Sequence, residues 1–366
     1  MNIKIINATL FTGDSILESG TIGIKDGKFC DAGSSLPDEI IDLENDWLVP
    51  GFIDLQLYGG NGELFSDKLS VESLRATYDY SIAGGATSIL PTIATNSEAI
   101  IFKAIDVIKA YQQQKRPGIL GLHLEGPFIN PLKRGAHLEK YIQQPTLDLA
   151  KKIIDKAEGV IKIITLAPEC CDEKIISYFI DNGIILSAGH SNATIQEANN
   201  GFERGIQLVT HLFNAMSPLN HREPGLPAAA MLNENVSASI VADGYHVNFE
   251  MIRLAKKIMS ERLFLITDAV TGSGGVYPHQ LSGDRYILPD GTLSGSALTM
   301  MKAVQNCIEK VGISKVEAFR MASLYPAKAL HIDDQYGKIE NGYVADFLRV
   351  DDHLQIKEVF KNGLRG

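Results

Sequence analysis

The stretch from residue 119 to residue 211 holds four apolar runs, ILGLHLE (119–125), IKIITLAP (161–168), IILSAGH (184–190) and QLVTH (207–211), and three of them end on a residue able to bind a cation. Apolar runs that do not alternate with polar residues read as strands buried on both faces, the habit of parallel sheets. Working outward, FIDLQL (52–57) and TSILPT (87–92) precede these four, and ASIVAD (238–243) and LFLITD (263–268) follow them. The segments between have helical spacing. VESLRATYDYSIAGG (71–85) stops at a glycine pair and TIQEANNGFERG (194–205) stops at Gly205, as helix C-termini often do. Eight such strands alternating with helices predict an α/β fold, a (β/α)8 TIM barrel over residues 51–332. The rival is an open doubly wound sheet, and no GxGxxG follows any early strand to support it.

The ends of the chain have another rhythm. KIINATLFT (4–12), SGTIGIKDGKFCDAG (19–33) and EIIDLENDWLVPG (39–51) are short alternating runs divided by Gly and Asp turns, and YGKIENGYVADFLRVDDHLQIKEVFKNGLRG (336–366) resumes the pattern. This reads as antiparallel pairing. Neither end can build a stable sheet alone, so residues 1–50 and 333–366 are expected to pair into one small β-sandwich domain.

The formal charge of −10 comes with scattered Lys and Arg, which argues against nucleic acid or an anionic membrane surface as partner. No uncharged apolar run approaches the roughly 18 residues of a membrane span. The start MNIKIINATLF has no basic segment before an apolar one, so a cytoplasmic location is expected. Cys30, Cys170, Cys171 and Cys307 form neither a CxxC pair nor a disulfide framework and are expected to be reduced.

Barrel chemistry sits at the C-terminal ends of strands, where the βα loops open. The polar residues at those ends are Gln56, Glu125, His190, His211, Asp243 and Asp268. One carboxylate and two imidazoles from separate strands can converge on one ion with water in the fourth position, so Glu125, His190 and His211 are the candidate metal ligands. Each alone could be structural; the three together on strands 3, 5 and 6 point to a catalytic site. Zinc is the first choice of ion, with Fe²⁺, Co²⁺ and Mn²⁺ as alternatives for the same donors. His123, two residues before Glu125, is expected deeper in the barrel in a packing or supporting role. Asp268 can move a proton between an attacking water and a leaving amine, though it could instead cap the next helix. Asn214 and Ala215 in THLFNAM offer backbone N–H groups to an anion such as phosphate, and Arg222 in HREPG offers a fork-shaped donor. His137 (KRGAH) and His246 (ADGYHV) lie in loops on the same face.

Taken in order, PGFIDLQLYG, GLHLEGPF, SAGHSNAT, THLFNAM, REPG, ADGYHV, LITDA, GTLSGSALTM, ASLYPAKAL and GYVADF resemble the N-acetylglucosamine-6-phosphate deacetylase family of the amidohydrolase superfamily along the whole chain. The resemblance implies hydrolysis of N-acetyl-D-glucosamine 6-phosphate to D-glucosamine 6-phosphate and acetate. It implies Glu125, His190 and His211 as ligands and Asp268 as acid and base. It further implies sugar and acetyl contacts from His137 and His246, with Ala136 beside them, and phosphate contacts from Asn214, Ala215 and Arg222. The backbone of Leu293, Ser294 and Gly295 would line the sugar pocket. A homodimer is implied, with Arg222 reaching the neighbouring subunit's site. Most of the superfamily carries His-x-His at the end of strand 1, whereas this chain has Gln56 and Tyr58 there. Neither replaces imidazole well, which leaves those second-metal positions vacated and implies one ion per chain. An isomeric N-acetylhexosamine phosphate, a cyclic amide, and a silent sugar-phosphate binding protein are the other readings.

Overall fold

Strand Phe52–Leu57 is buried at every residue, as a strand covered on both faces must be, and it opens a sheet that runs through every expected strand. The computed structural model describes residues 2–33, 36–114 and 116–365. From Phe52–Leu57 the sheet continues through Ala86–Ala94, Leu122–Glu125, Ile161–Leu166, Ile185–Ala188, Leu208–Val209, Ser237–Ile240 and Leu263–Leu265, each parallel to its neighbour. The last strand returns to the first just beyond its own end. Asp268 N–H donates to Gln56 O at 2.9 Å and Tyr58 N–H to Ala269 O at 2.8 Å. This closes the TIM barrel.

Asp54 reinforces the seam from inside. Its carboxylate accepts from the Thr267 hydroxyl at 2.5 Å and from the Thr267 and Gln56 N–H groups at 3.2 Å each. Burial pushes its pKa up to about 7 against the pull of those bonds. Helices wrap the barrel where their start signals lie. Ser70 caps Val71–Ala83 and Thr194 caps Ile195–Glu203, the latter in a capping box with Glu197.

Several strands are shorter than their apolar runs. IILSAGH yields strand only at Ile185–Ala188 and QLVTH only at Leu208–Val209, so His190 and His211 stand two residues past the pairing. Their backbones explain the early stop. His190, His211 and Asp268 all adopt left-handed φ, 48°, 33° and 53°, which turns the chain out of the ladder.

The terminal segments form one sheet in the order 364–365, 356–361, 347–350, 47–50, 2–11, 16–25, 28–30, with 39–42 also on 2–11. It encloses its own apolar cluster, including Ile5, Ile24, Leu43, Leu48, Phe347 and Phe360, giving the small β-sandwich. The purely antiparallel expectation is corrected. Glu39–Asp42 and Trp47–Pro50 both run parallel to Asn2–Phe11, because the chain crosses back after its first hairpin and re-enters in the starting direction. A second unexpected element is a three-stranded antiparallel flap of Gln280–Ser282, Arg285–Ile287 and Leu293–Ser296, set between the eighth strand and the helix Met300–Asn306.

Candidate active site

The C-terminal mouth of the barrel opens on a cavity of about 220 Å³ whose walls include Tyr58, Glu125, His137, His190, His211, His246 and Asp268, with the flap residues Leu293–Gly295 along one side. Glu125 is the centre. Its side chain enters from the end of Leu122–Glu125, next to LEGPF, where Gly126 has φ 87° and a Cβ added to it would lie 2.1 Å from Thr95 Oγ1. Only glycine lets the chain turn there while the Thr95 hydroxyl reaches the Glu125 carbonyl at 3.2 Å.

The two oxygens of Glu125 face different partners. Oε1 lies 3.0 Å from His211 Nε2 and 3.2 Å from His190 Nε2, and those two nitrogens are 3.2 Å apart. Oε2 accepts from Tyr58 Oη in a very short hydrogen bond and from His137 Nε2 at 2.9 Å. Burial opposes its charge, but His190 and His137 outweigh it and hold the carboxyl well below its usual pKa range.

The hydrogen bonds decide which imidazoles can bind an ion. His190 Nδ1 faces the Lys133 carbonyl at 3.0 Å, so Nδ1 carries the proton and Nε2 presents a lone pair. His137 is the reverse: its Nε2 faces the acceptor-only Glu125 carboxylate at 2.9 Å and so carries a proton, while its Nδ1 lies 2.7 Å from Thr95 Oγ1. Glu125, His137 and His190 bring donor atoms within 4.8 Å of one another, yet the protons remove His137 from the ligand set. His211 Nδ1 is buried without a hydrogen-bond partner among the described residues, so the position of its ring rests on backbone geometry and packing.

The remaining triangle suits a cation. Tetrahedral zinc with bonds near 2.1 Å separates its N and O donors by about 3.4 Å, and the three edges here, 3.0, 3.2 and 3.2 Å, come within a few tenths of that. Two imidazole nitrogens turned toward each other beside a carboxylate have no other joint partner. The donor set therefore fits one divalent ion.

Around that triangle the polar groups interlock. Gln56 Nε2 shares its two hydrogens among three acceptors, Glu125 Oε1 at 3.0 Å, Asp268 Oδ1 at 2.9 Å and Tyr58 Oη at 2.8 Å. Tyr58 is partly exposed at the mouth, but its hydroxyl is enclosed, and burial together with the charges of Glu125 and Asp268 raises its pKa well above the phenol value. Asp268 Oδ2 lies 3.4 Å from His246 Nε2, and His246 Nδ1 is 2.6 Å from Asp243 Oδ2. Burial alone would lower the pKa of His246, but its bonds to Asp243 and Asp268 raise it to about 9, and the same contacts hold Asp243 below its usual range. The Asp243 contact thus favours the imidazolium form of His246. His123 lies below, between the Leu55 carbonyl at 3.0 Å and Thr165 Oγ1 at 2.8 Å, and burial lowers its pKa to about 4, in keeping with a neutral supporting residue.

Not every expected contact reaches the cavity. Ala136, Asn214 and Ala215 line it, but the Asn214 backbone N–H is spent on His211 O at 2.9 Å. Of the two backbone amides read as anion donors, only that of Ala215 makes no other bond among the described residues, and the Asn214 side-chain amide bonds the carbonyls of His211 and Leu212. The expectation of two backbone donors is corrected to one, because a tight turn follows His211. Arg222 is exposed and outside the cavity wall of this chain. Conversely, Tyr277 and His279 line the site unforeseen. Tyr277 Oη donates to Thr95 O at 2.5 Å, and His279 Nδ1 meets Ser294 Oγ at 2.9 Å. Their only sequence signal was position, in the loop that follows the eighth strand.

Comparison with known proteins agrees with this geometry. The amidohydrolase family matches residues 47–365. N-acetylglucosamine-6-phosphate deacetylase of Haemophilus influenzae is 33% identical over 99% of both chains. N-acetylgalactosamine-6-phosphate deacetylase of a Shewanella species is 31% identical over 97% of this chain and 94% of its own. The crystal structure of N-acetylglucosamine-6-phosphate deacetylase from Pasteurella multocida superposes with a TM-score of 0.95 at 33% identity, covering 100% of each chain. The chain belongs to the amidohydrolase family, in its N-acetylglucosamine-6-phosphate deacetylase branch.

Proposed function

We propose that the protein hydrolyses the acetamide of N-acetyl-D-glucosamine 6-phosphate, releasing acetate and D-glucosamine 6-phosphate. The observation that carries this is the convergence of Glu125 Oε1, His190 Nε2 and His211 Nε2 beside the Asp268 carboxylate, in a cavity sized for a small molecule. One divalent ion, zinc by preference, would be held by those three atoms and would supply Lewis-acid polarisation of a water and of the acetyl carbonyl.

The protein's own groups do the rest. Gln56 fixes Asp268 by its Oδ1, leaving Oδ2 to take a proton from the attacking water and deliver it to the sugar nitrogen as the C–N bond breaks. His246 Nε2–H, charged through Asp243, points at the same place and is suited to donate to the acetyl oxygen as negative charge grows there. His137 holds Glu125 while forming part of the sugar wall with Ala136 and the Leu293, Ser294 and Gly295 backbone. The Ala215 N–H, which makes no other bond among the described residues, would meet the phosphate. Arg222, exposed on its loop, is suited to complete that phosphate site across a homodimer interface.

The same reading gives residues 51–332 the chemistry and residues 1–50 with 333–366 a supporting role. It places the enzyme in the cytoplasm, where sugar phosphates are held. No helix among the described residues is long and apolar enough to cross a membrane.

The test is acetate release from N-acetylglucosamine 6-phosphate, with metal content measured in the same preparation. Release with one bound ion, lost in Asp268→Asn, is expected. No release from a metal-loaded enzyme, or full activity in Asp268→Asn, overturns the proposal. The Shewanella relative favours one alternative substrate, the galacto isomer, and its rate in the same assay decides between them.

A further inference from the structure

Gln56 and Tyr58 do more than leave a place vacant. An amide nitrogen carries hydrogens and no lone pair, and Gln56 Nε2 stands within 3.0 Å of one oxygen from each of Glu125 and Asp268. Turning the amide over would set its carbonyl oxygen against two carboxylates, so the orientation is fixed by charge. The two amide hydrogens are shared between these oxygens and Tyr58 Oη at 2.8 Å, and the phenol's own proton goes to Glu125 Oε2. His137 Nε2–H supplies a second donor to that oxygen.

We propose that Gln56 and Tyr58 form a hydrogen-bond clamp in place of a second cation, positioning Glu125 as a one-oxygen ligand and tying it to Asp268, so that the site accepts a single ion in one geometry. Glu125 Oε2 is saturated by two donors, and Asp268 Oδ1 is taken by the amide. An ion approaching from the strand-1 side meets N–H and O–H hydrogens where it would need lone pairs. Tyr58 is a positioning residue in this scheme and acts through Glu125. The inference rests on Glu125 being a metal ligand, and the experiment separates the two claims.

Apo protein is titrated with Zn²⁺ against a competing chelator, and with Co²⁺ followed by its visible absorption, for wild type, Tyr58→Phe and Gln56→His/Tyr58→His. Wild type should bind one equivalent; none would overturn the ligand assignment itself, and two would overturn the clamp. Tyr58→Phe should bind one Zn²⁺ roughly 10- to 100-fold more weakly, the usual cost of removing a group that orients a ligand. Its Co²⁺ spectrum should also shift, which a role in packing alone would not produce. Circular dichroism of the apo variant checks that the fold is retained. The double variant should take a second Co²⁺ equivalent. Unchanged Zn²⁺ affinity and Co²⁺ spectrum in Tyr58→Phe, or a single equivalent in the folded double variant, overturns the proposal.

Discussion

The Nε2 atoms of His190 and His211 face one another 3.2 Å apart, each also within 3.2 Å of Glu125 Oε1. Without a cation between them, two imidazoles and a carboxylate keep this contact only by holding protons that one partner or another must give up. Ligand binding to the native state alone adds stability by mass action. Removing metal with a chelator should therefore lower the melting temperature, and added Zn²⁺ should raise it in a concentration-dependent way. His211→Asn should lose most of that response. A melting curve indifferent to chelator and Zn²⁺ would contradict the ligand assignment.

Gly126 offers a test of the scaffold next to Glu125. A methyl group there would lie 2.1 Å from Thr95 Oγ1, on a backbone with φ 87° that L residues rarely adopt. Thr95 also bonds His137, so the clash pushes on the group that holds Glu125 Oε2. Gly126→Ala should cost about 2 kcal/mol or more in stability and weaken metal retention. Denaturant unfolding with metal analysis measures both. A variant within about 0.5 kcal/mol of wild type would show that the turn relaxes freely.

The barrel was legible because its strands are short unbroken apolar runs, and a period of that kind survives without knowledge of tertiary contacts. Glu125, His190, His211 and Asp268 were legible because a parallel barrel gathers strand ends, so position in the repeat predicts position in space. The exact strand limits were not: left-handed turns follow the ladder at His190, His211 and Asp268, and these residue types only favour such a turn without requiring it. Nothing in FIDLQL marks Asp54 as a seam residue, because its partner Thr267 lies 213 residues away. Asp243 stood among the strand-end polar residues without a task, since its role depends on how the loop folds His246 back onto it. The parallel pairs in the terminal sheet were hidden for a related reason. Alternation reveals a strand with one wet face, but not the direction of its neighbour.

Lys361 and Asp346, both in the C-terminal segment, form a buried ion pair, and Lys361 Nζ also lies 3.1 Å from Ser88 Oγ on the second barrel strand. Burial lowers the lysine pKa, though its partner resists that shift. Removing one member leaves the other charged and enclosed, which in proteins commonly costs about 3–5 kcal/mol. Lys361→Met should show a loss of that order, and Lys361→Met/Asp346→Leu should recover a large part. Equilibrium unfolding of the single and double variants checks this, and a single variant as stable as wild type would refute a structural role for the pair.

The Asp243 and His246 pair, 2.6 Å apart, makes a prediction whose sign can be worked out. The folded pKa of His246 is raised from 6.5 to about 9, so its contribution to stability is fully present below pH 6.5 and is lost as pH rises through 9. Asp243 is held below its usual 3.8, so its contribution is present above that value and is lost as pH falls further. Asp243→Asn keeps the side chain's shape and removes its charge. The difference in stability between wild type and this variant should therefore be widest between about pH 4.5 and 6.5, at about 2 kcal/mol for a buried charge-assisted hydrogen bond. It should narrow steadily toward pH 9, where the wild-type imidazolium also discharges, the variant's having discharged at lower pH. Groups elsewhere titrate alike in the two proteins and cancel. If His246 donates to the acetyl oxygen as an imidazolium, wild-type kcat/KM should fall over the same alkaline range, while Asp243→Asn should begin to fall at a lower pH. A stability difference that is flat or grows from pH 6 to 9 would show that His246 is not charged by its neighbour.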